Sequence, residues 1–283
     1  MNIPAHPGPL HADVSDAAPW RHATGLVKFL EFPVRKPGLS HRDFHLYWQR
    51  HHSPHVMNIT GFSRYMRKYV SAHGYEKPVA GLPARLRQST PFDGASEVTL
   101  NSLEDIPAWL GHPLYPELIQ PDEQRFLSQE GLGCVLLTRE ERIVDVALDA
   151  PESGLVRLYV LLTRQSRAER EGFHAAVSAQ VHKLAAGARR GVLSQVTINH
   201  RLPDPLPLEL PPPGVDAVLS LGFTDIEAMR AFAASPEVEA LWSSLEAAVA
   251  DAALTRALVT RVFVVHDELS FQPTAVQARP FSW

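Results

Sequence analysis

Apolar and polar positions along this chain fall into short runs that switch repeatedly between the period of a strand and that of a helix. Residues 26–34, LVKFLEFPV, alternate and predict a first strand, with Pro33 placing it at an edge or a strand end. The turn RKPGLS leads into a predicted helix over 41–57, which Ser40 caps and whose first turn holds Asp43, where a carboxylate is favoured. Pro54 is expected to kink or end that helix near Ser53. Residues 62–72, FSRYMRKYVSA, predict a second strand. The Gly/Pro-rich excursion 73–95 is long for a structureless connection and is expected to form a lid or pocket wall. A third strand at 96–101, one or two broken helices over 103–129 and a fourth strand at 132–144 follow. From residue 155 the succession begins again. VRLYVLLTRQ is a strand, RAEREGFHAAVSAQVHKLAAGARR a helix, and GVLSQVTINHRL and VDAVLSLGF two strands around a proline-rich loop. One or two helices and the strand TRALVTRVFVVHD complete it.

The order is βαββαβ twice. The stretch at 102–113, SLEDIPAWLGHP, corresponds to FTDIEAMRAFAASP at 223–236, and Phe44-His45 to Phe173-His174. A four-stranded antiparallel sheet with both helices on one side leaves its other face in need of a partner. The expected fold class is therefore α+β, with two tandem ferredoxin-like domains packing sheet to sheet inside the monomer. The expected boundaries are 24–146 and 155–267, with a linker at 147–154. A flexible arm at 1–23 and a tail at 268–283 flank them, the tail expected to strap across the other domain or a second chain.

Composition narrows the function classes. Hydrophobic content of 45% and charged content of 20% are ordinary for a globular protein. A net charge of -4 offers no field for a polyanion, which argues against nucleic acid. The single cysteine, Cys134, excludes an internal disulfide and multi-cysteine metal sites, and its apolar setting GLGCVLLT reads as a buried, inert thiol. The N-terminus lacks the basic start and apolar run of a signal peptide, and no window approaches the length of a spanning helix. A cytoplasmic protein without a membrane partner is the expectation.

Candidate chemistry concentrates in residues 41–67, HRDFHLYWQRHHSPHVMNITGFSRYMR. On one helix, His45, Trp48, His52 and His55 share a face, with Phe44, Tyr47 and His51 beside it. An imidazole there can move a proton near neutral pH when a carboxylate or carbonyl fixes its tautomer. His52 is the leading catalytic candidate, weighed against a histidine that merely secures the helix end; His45 is the second. Converging imidazoles also suggest a metal, but no H-E-x-x-H pattern or carboxylate pair accompanies them, so metal and haem remain the lesser alternatives. On a strand Arg64 and Tyr65 would alternate, and Tyr65 is the one expected to meet a substrate carbonyl or enolate. Tyr47, Trp48, Trp109, Tyr115 and Phe126 are candidate aromatic walls, and His112 a further polar group. Glu97, if inward, needs a partner, for which a histidine is the candidate. Gly131 and Gly133 do not make a phosphate loop.

The strand, RKPGLS turn, F-H-x-Y-W helix, H-H-S-P run and following R-Y pair resemble the EthD-like proteins of the dimeric α/β-barrel superfamily. The resemblance implies a ferredoxin-like fold, a barrel built here from two fused copies, and a pocket between sheet and helices for small apolar, often aromatic, molecules. Carried over by position, it points to His52 before its x-Pro and to Arg64-Tyr65. The second copy departs from the pattern, with AVSAQVHKLAAG and His182 where the first has Trp48 and His52, so one site per chain is expected, in the first half. Two functions follow as expectations. One is a cofactor-independent lyase or isomerase on a small hydrophobic, aromatic, carbonyl- or hydroxyl-bearing compound, with His52, Tyr65, His45 and Arg64 catalytic and Tyr47, Trp48, His112, Tyr115 and Glu97 binding. The other is a non-enzymatic binder of the same kind of molecule. No cofactor is called for, and a homodimer is an option beyond the internal pseudo-dimer.

Overall fold

Alternation along the strands decides the architecture. In β1 (Val27–Phe32) one set of side chains, Leu30 and Phe32, joins a cluster inside a closed barrel, while Val27 joins the cluster that packs under helices. The computed structural model describes residues 26–86, 90–129, 133–145, 152–187, 193–203 and 214–269. Both termini, most of the 147–154 linker and the loop glycine Gly131 lie outside them, so the expected arm, strap and linker are not described.

After β1 come α1 (His41–Tyr47), a π-helical turn (Trp48–His52), α2 (Ser53–Asn58) and the single turn α3 (Thr60–Ser63). Next are β2 (Lys68–Gly74), β3 (Gly94–Leu100), α4 (Asp105–Leu110), a second π-helical turn (Tyr115–Ile119), α5 (Gln120–Phe126) and β4 (Cys134–Asp145). The remainder is β5 (Val156–Leu162), α6 (Arg170–Gly187), β6 (Gln195–Arg201), β7 (Ala217–Phe223), α7 (Ile226–Ala233), α8 (Pro236–Ala248) and β8 (Arg256–Asp267). The barrel order is β1-β3-β2-β8-β5-β7-β6-β4, antiparallel throughout. The first four strands run β4-β1-β3-β2 and the last four β8-β5-β7-β6, the same order. Their edges hydrogen-bond at β2–β8 and β4–β6. Closure by edge pairing removes the exposed edges that two stacked sheets would have left.

Corresponding positions in the two halves make the same bonds. Thr138 Oγ1 donates to the Lys28 carbonyl at 3.3 Å, and Thr260 Oγ1 to the Arg157 carbonyl at 3.2 Å. The backbone N–H groups of Arg35 and Arg164 donate to Asp93 and Asp216 at 2.8 and 3.0 Å. Isolated bridges join Arg35 to Leu127 and Arg164 to Ala250.

Several expected boundaries move. Pro54 does not end the helix: it is the second residue of α2, which follows the π turn directly, and the chain stays helical to Asn58. The second strand starts at Lys68, so Arg64 and Tyr65 occupy the turn after α3. The 73–95 excursion reaches across to the second half. Its Val79, Leu82 and Leu86 are buried in the second half's core, and Arg230 Nε donates to the Ala80 carbonyl at 2.7 Å.

The barrel interior is apolar at one end, around Leu30, Phe32, Leu136, Tyr159, Leu161 and Leu258. At the other end charges alternate in sign along one chain of ion pairs. Arg142 meets Glu140, Glu140 meets Lys28, and Lys28 meets Glu97 at 2.6 Å. Glu97 meets Arg157 at 2.7 Å, Arg157 meets Glu152, Glu152 meets Lys68 at 2.6 Å, and Lys68 meets Asp267 at 3.0 Å. All of these side chains but Asp267 border a cavity of about 340 Å³. Glu97 thus faces inward as expected, but its partners are Lys28, Arg157 and the Tyr159 hydroxyl rather than a histidine. Burial alone would raise its pKa; the two cations outweigh burial and hold it well below the usual carboxylate range. Cys134 lies in the apolar cluster, its thiol pushed up to about 12 by burial.

Candidate functional site

The two halves differ most on the sheet faces that their helices cover. In the second half that face is filled: Val156, Leu158, Val160, Val196, Ile198, Leu219 and Leu221 are all buried in one apolar cluster. In the first half the corresponding registers carry Glu31 where β5 has Val160, Ser96 where β7 has Leu219, and Tyr69 and Ser71 where β6 has Val196 and Ile198. Phe29 and Glu31 keep solvent-accessible surface beneath the helix layer, whereas β5 is buried at every position. Among the described residues the cleft between sheet and helices in the first half is therefore partly polar and keeps accessible surface at Phe29 and Glu31, where the second half has packed core.

Its walls come from the first π turn, α2, α3, α4, the second π turn and α5. Trp48 Nε1 donates to the Tyr69 hydroxyl at 3.2 Å, and Ser53 Oγ lies 3.3 Å from the same oxygen. Phe29 packs edge-on against Trp109, which also meets Phe62, and Phe62 stacks on Tyr115. The Tyr115 hydroxyl donates to Glu123 Oε2 at 3.0 Å. The Glu31 carboxyl makes no hydrogen bond or ion pair among the described residues. Desolvation lifts its carboxyl to about 7. Glu123 is lifted to about 8, by desolvation first and then by the nearby Glu31 charge, against the opposing bond from Tyr115.

His52 stands at the end of the first π turn, between Trp48 and Ser53. Its Nδ1 lies 2.8 Å from Asp122 Oδ2, and the Tyr47 hydroxyl donates to Asp122 Oδ1 at 2.5 Å. The ring packs on Phe126. Its Nε2 makes no hydrogen bond among the described residues and is not sealed from open space. Desolvation lowers the His52 pKa, and the Asp122 carboxylate only partly restores it, so the imidazole is neutral at pH 7. Burial would raise Asp122, but the bonds from His52 and Tyr47 prevail and its pKa falls. A neutral imidazole oriented by a carboxylate at Nδ1, with a bare Nε2, is the arrangement of a general base. Asp122 precedes Glu123 on α5, and Trp48 and Ser53, at the two ends of the π turn that holds His52, both meet Tyr69.

His45 points elsewhere. It is fully buried, with Nε2 2.9 Å from His41 Nε2 and Nδ1 2.8 Å from His73 Nδ1. His41 Nε2 reaches the Gly74 carbonyl at 2.9 Å and His73 Nε2 reaches Ser71 Oγ at 3.1 Å. Desolvation, then the neighbouring rings, keep His45 well below its ordinary pKa, and His73 falls to about 3. The second half has a like pair, His174 beside His200 with ring centroids 4.7 Å apart. His45 and His52 do not converge, and among the described residues no group of three or more His, Cys, Asp or Glu side chains is placed to hold a metal ion.

The other expected site residues scatter. Arg64 and Tyr65 bond each other at 2.9 Å at the surface turn, so the residue opposite α1 on β2 is Tyr69. His112 accepts from the Leu114 N–H at 3.3 Å, near Phe62. Tyr47, Trp48 and Tyr115 belong to the dyad or the cleft; Glu97 belongs to the barrel interior. Sequence reasoning missed Asp122, Glu123, Glu31, Tyr69 and His73. Glu31 carried a signal, a carboxylate at a strand position whose counterpart in the repeat is valine.

Residues 36–130, about a third of the chain, match the model of the EthD domain. No curated protein matches by sequence. Among solved structures the fold is similar to an anthrone oxidase-like protein, at 9% identity and TM-score 0.58 over 89% of this chain and 98% of that one. It is also similar to a candidate monooxygenase from Fusobacterium nucleatum subsp. nucleatum ATCC 25586, at 8% identity and TM-score 0.52 over 86% and 94%. A candidate monooxygenase from Lactobacillus acidophilus NCFM matches at 10% identity and TM-score 0.50 over 84% and 94%. At such identities the likeness is one of fold: a closed, eight-stranded antiparallel α+β barrel. No helix among the described residues is long and apolar enough to cross a membrane.

Proposed function

We propose that the chain is a tandem fusion of two ferredoxin-like domains, 24–146 and 155–267, in which the first works and the second supports. The repeated strand order and matched hydrogen bonds favour this reading. The working half acts as a cofactor-independent acid–base enzyme, a lyase or isomerase, on a small hydrophobic compound bearing a carbonyl or hydroxyl. His52 moves the proton at Nε2, Asp122 and Tyr47 position it, and the Tyr69, Trp48 and Tyr115 side chains bound the substrate. His45 is assigned a positioning role behind Trp48, on which it stacks.

The observation that carries the proposal is the His52–Asp122 pair with an unengaged Nε2. The test is turnover of a panel of small aromatic and alicyclic hydroxy-carbonyl compounds, followed by mass spectrometry. A product that disappears in a folded His52→Ala variant, with binding retained, supports the reading. Binding without turnover in the unaltered protein would instead make it a ligand carrier, and turnover untouched by His52→Ala would sink the assignment.

A further inference from the structure

We propose that the cavity inside the barrel is a second ligand site, which takes a short-chain aliphatic carboxylate with its head over Thr99, between Lys28 and Lys68. It lies on the other side of the sheet from the cleft: in β1, Lys28 borders the barrel cavity while Phe29 packs under the helices. Three cross-strand neighbours define the head position. Thr99 on β3 stands opposite Lys28 on β1 and opposite Lys68 on β2, a row in which adjacent Cβ atoms lie about 5 Å apart. The second half repeats the row as Arg157, Gly222 and Gln195, and there it is closed, because Arg157 donates to Gln195 Oε1 at 2.6 Å across the glycine. In the first half the ammoniums are drawn instead to carboxylates, Lys28 to Glu97 and Glu140, and Lys68 to Glu152 and Asp267. The Thr99 hydroxyl between them makes no hydrogen bond among the described residues.

The unspent hydrogen bonds define what the cavity accepts. Every carboxylate oxygen of Glu97, Glu140 and Glu152 already accepts from a cation. Donors are in surplus. Among the described residues each ammonium uses two of its three N–H groups, and the Gln195 amide and the Thr99 and Thr197 hydroxyls donate to nothing. The wall also carries four cations against three carboxylates, one positive charge in excess, since Asp267 stands outside it. Burial would lower the Lys28 and Lys68 pKa values, but the carboxylates beside them prevail and raise both, so the two ammoniums stay charged at neutral pH. A carboxylate head accepts from both ammoniums and the hydroxyl and meets the excess charge. An alcohol answers the donors but not the charge, and an amine adds a cation where every carboxylate oxygen is taken. The aliphatic body suits the mouth, where Leu26 and Leu269 border the cavity, and a volume of about 340 Å³ calls for a small molecule.

Isothermal titration of the full chain at neutral pH with butanoate and hexanoate, beside hexanol, hexylamine and inorganic phosphate, tests this. Hexanoate is expected to bind about tenfold or more tightly than hexanol or hexylamine, a difference of about 1.4 kcal/mol. Thr99→Val removes the hydroxyl and keeps every charge; it should lose about tenfold for hexanoate and leave hexanol unchanged. Lys68→Met, checked for folding by circular dichroism, should lose at least as much. His52→Ala, which alters the cleft on the other side of the sheet, should leave hexanoate binding as it is, so this site and the acid–base reading stand or fall separately. Hexanol or hexylamine that binds as well as hexanoate, phosphate that binds as tightly, or hexanoate affinity indifferent to Thr99→Val would each overturn the proposal. So would loss of hexanoate binding in His52→Ala, or no carboxylate binding up to about 10 mM.

Discussion

At the scale of single residues, Asp122 decides what His52 can do. Its carboxylate accepts from Nδ1 and thereby presents an unprotonated Nε2; the Tyr47 hydroxyl at 2.5 Å fixes the carboxylate in turn. Asp122→Asn removes the charge and offers an amide that can leave the ring in the other tautomer. On a substrate found by the panel, kcat/KM should fall by about 10²–10⁴-fold with the fold intact. The pH profile gives the sign. The neutral form of His52 is the active base, so activity rises with pH through a pKa already below the ordinary histidine value. Loss of the carboxylate lowers that pKa further, and the acid limb should move to lower pH in the variant. An unmoved limb would mean that another group governs it. His52 was legible in the sequence because its x-Pro setting fell within the family resemblance. Asp122 was not: the contact spans 70 positions, and no local pattern marks it.

At the scale of elements, the π-helical turn between α1 and α2 is what carries the site. It lets one continuous helix present Trp48 to the sheet and His52 to α5, faces that a regular helix would space differently. The sheet makes room for it at Gly94. A Cβ there would sit 2.7 Å from the Trp48 ring and 2.5 Å from the Ala72 carbonyl oxygen. Gly94→Ala should therefore cost about 1–3 kcal/mol in stability. It should also weaken the Trp48–Tyr69 bond, visible as a change in near-ultraviolet dichroism; a variant with unchanged melting and an unchanged spectrum would show that Trp48 is free to shift. Element order and the duplication were readable because apolar alternation persists in buried strands. Placement of the second strand was not. Phe62, Tyr65 and Met66 lie on the helix-covered cluster before the strand begins, so the strand residue in the cleft is Tyr69 rather than the expected Tyr65. Pro54 misled in the opposite sense, since it falls where a widened turn meets a new one and costs no helix.

At the scale of the whole molecule, the closed barrel buries charges of both signs and histidines in both halves, and these set its tolerance to change. Arg157 sits at the middle of the interior ion-pair chain, 2% exposed, between Glu97 and Glu152. Arg157→Met leaves Glu97 with Lys28 alone and Glu152 with Lys68 alone, an unbalanced buried charge that should cost about 3 kcal/mol, with part recovered when Glu97→Leu is added. Acid sensitivity follows from different groups. His73 in the first half and His174 in the second are each held near a pKa of about 3, chiefly by desolvation. A histidine depressed in the folded state binds fewer protons there than in the unfolded chain. Its contribution is complete above the unfolded value near 6.5 and is lost as pH falls from there toward 3, roughly 2 kcal/mol per residue by pH ~5. Glu31 and Glu123 work in the opposite sense: raised to about 7 and about 8, they bind more protons in the folded state, so stability gained at low pH is lost as pH rises through those values. The two effects oppose each other between pH ~4.5 and pH ~6.5, and the unaltered protein should show a flattened stability profile in that range. Glu31→Gln with Glu123→Gln removes one arm. The double variant should be the more stable protein at pH ~8 and should lose stability more steeply than the parent as pH falls through ~6. Denaturant midpoints across this range check it, and parallel profiles for the two proteins would mean that the cleft carboxyls titrate as ordinary surface groups.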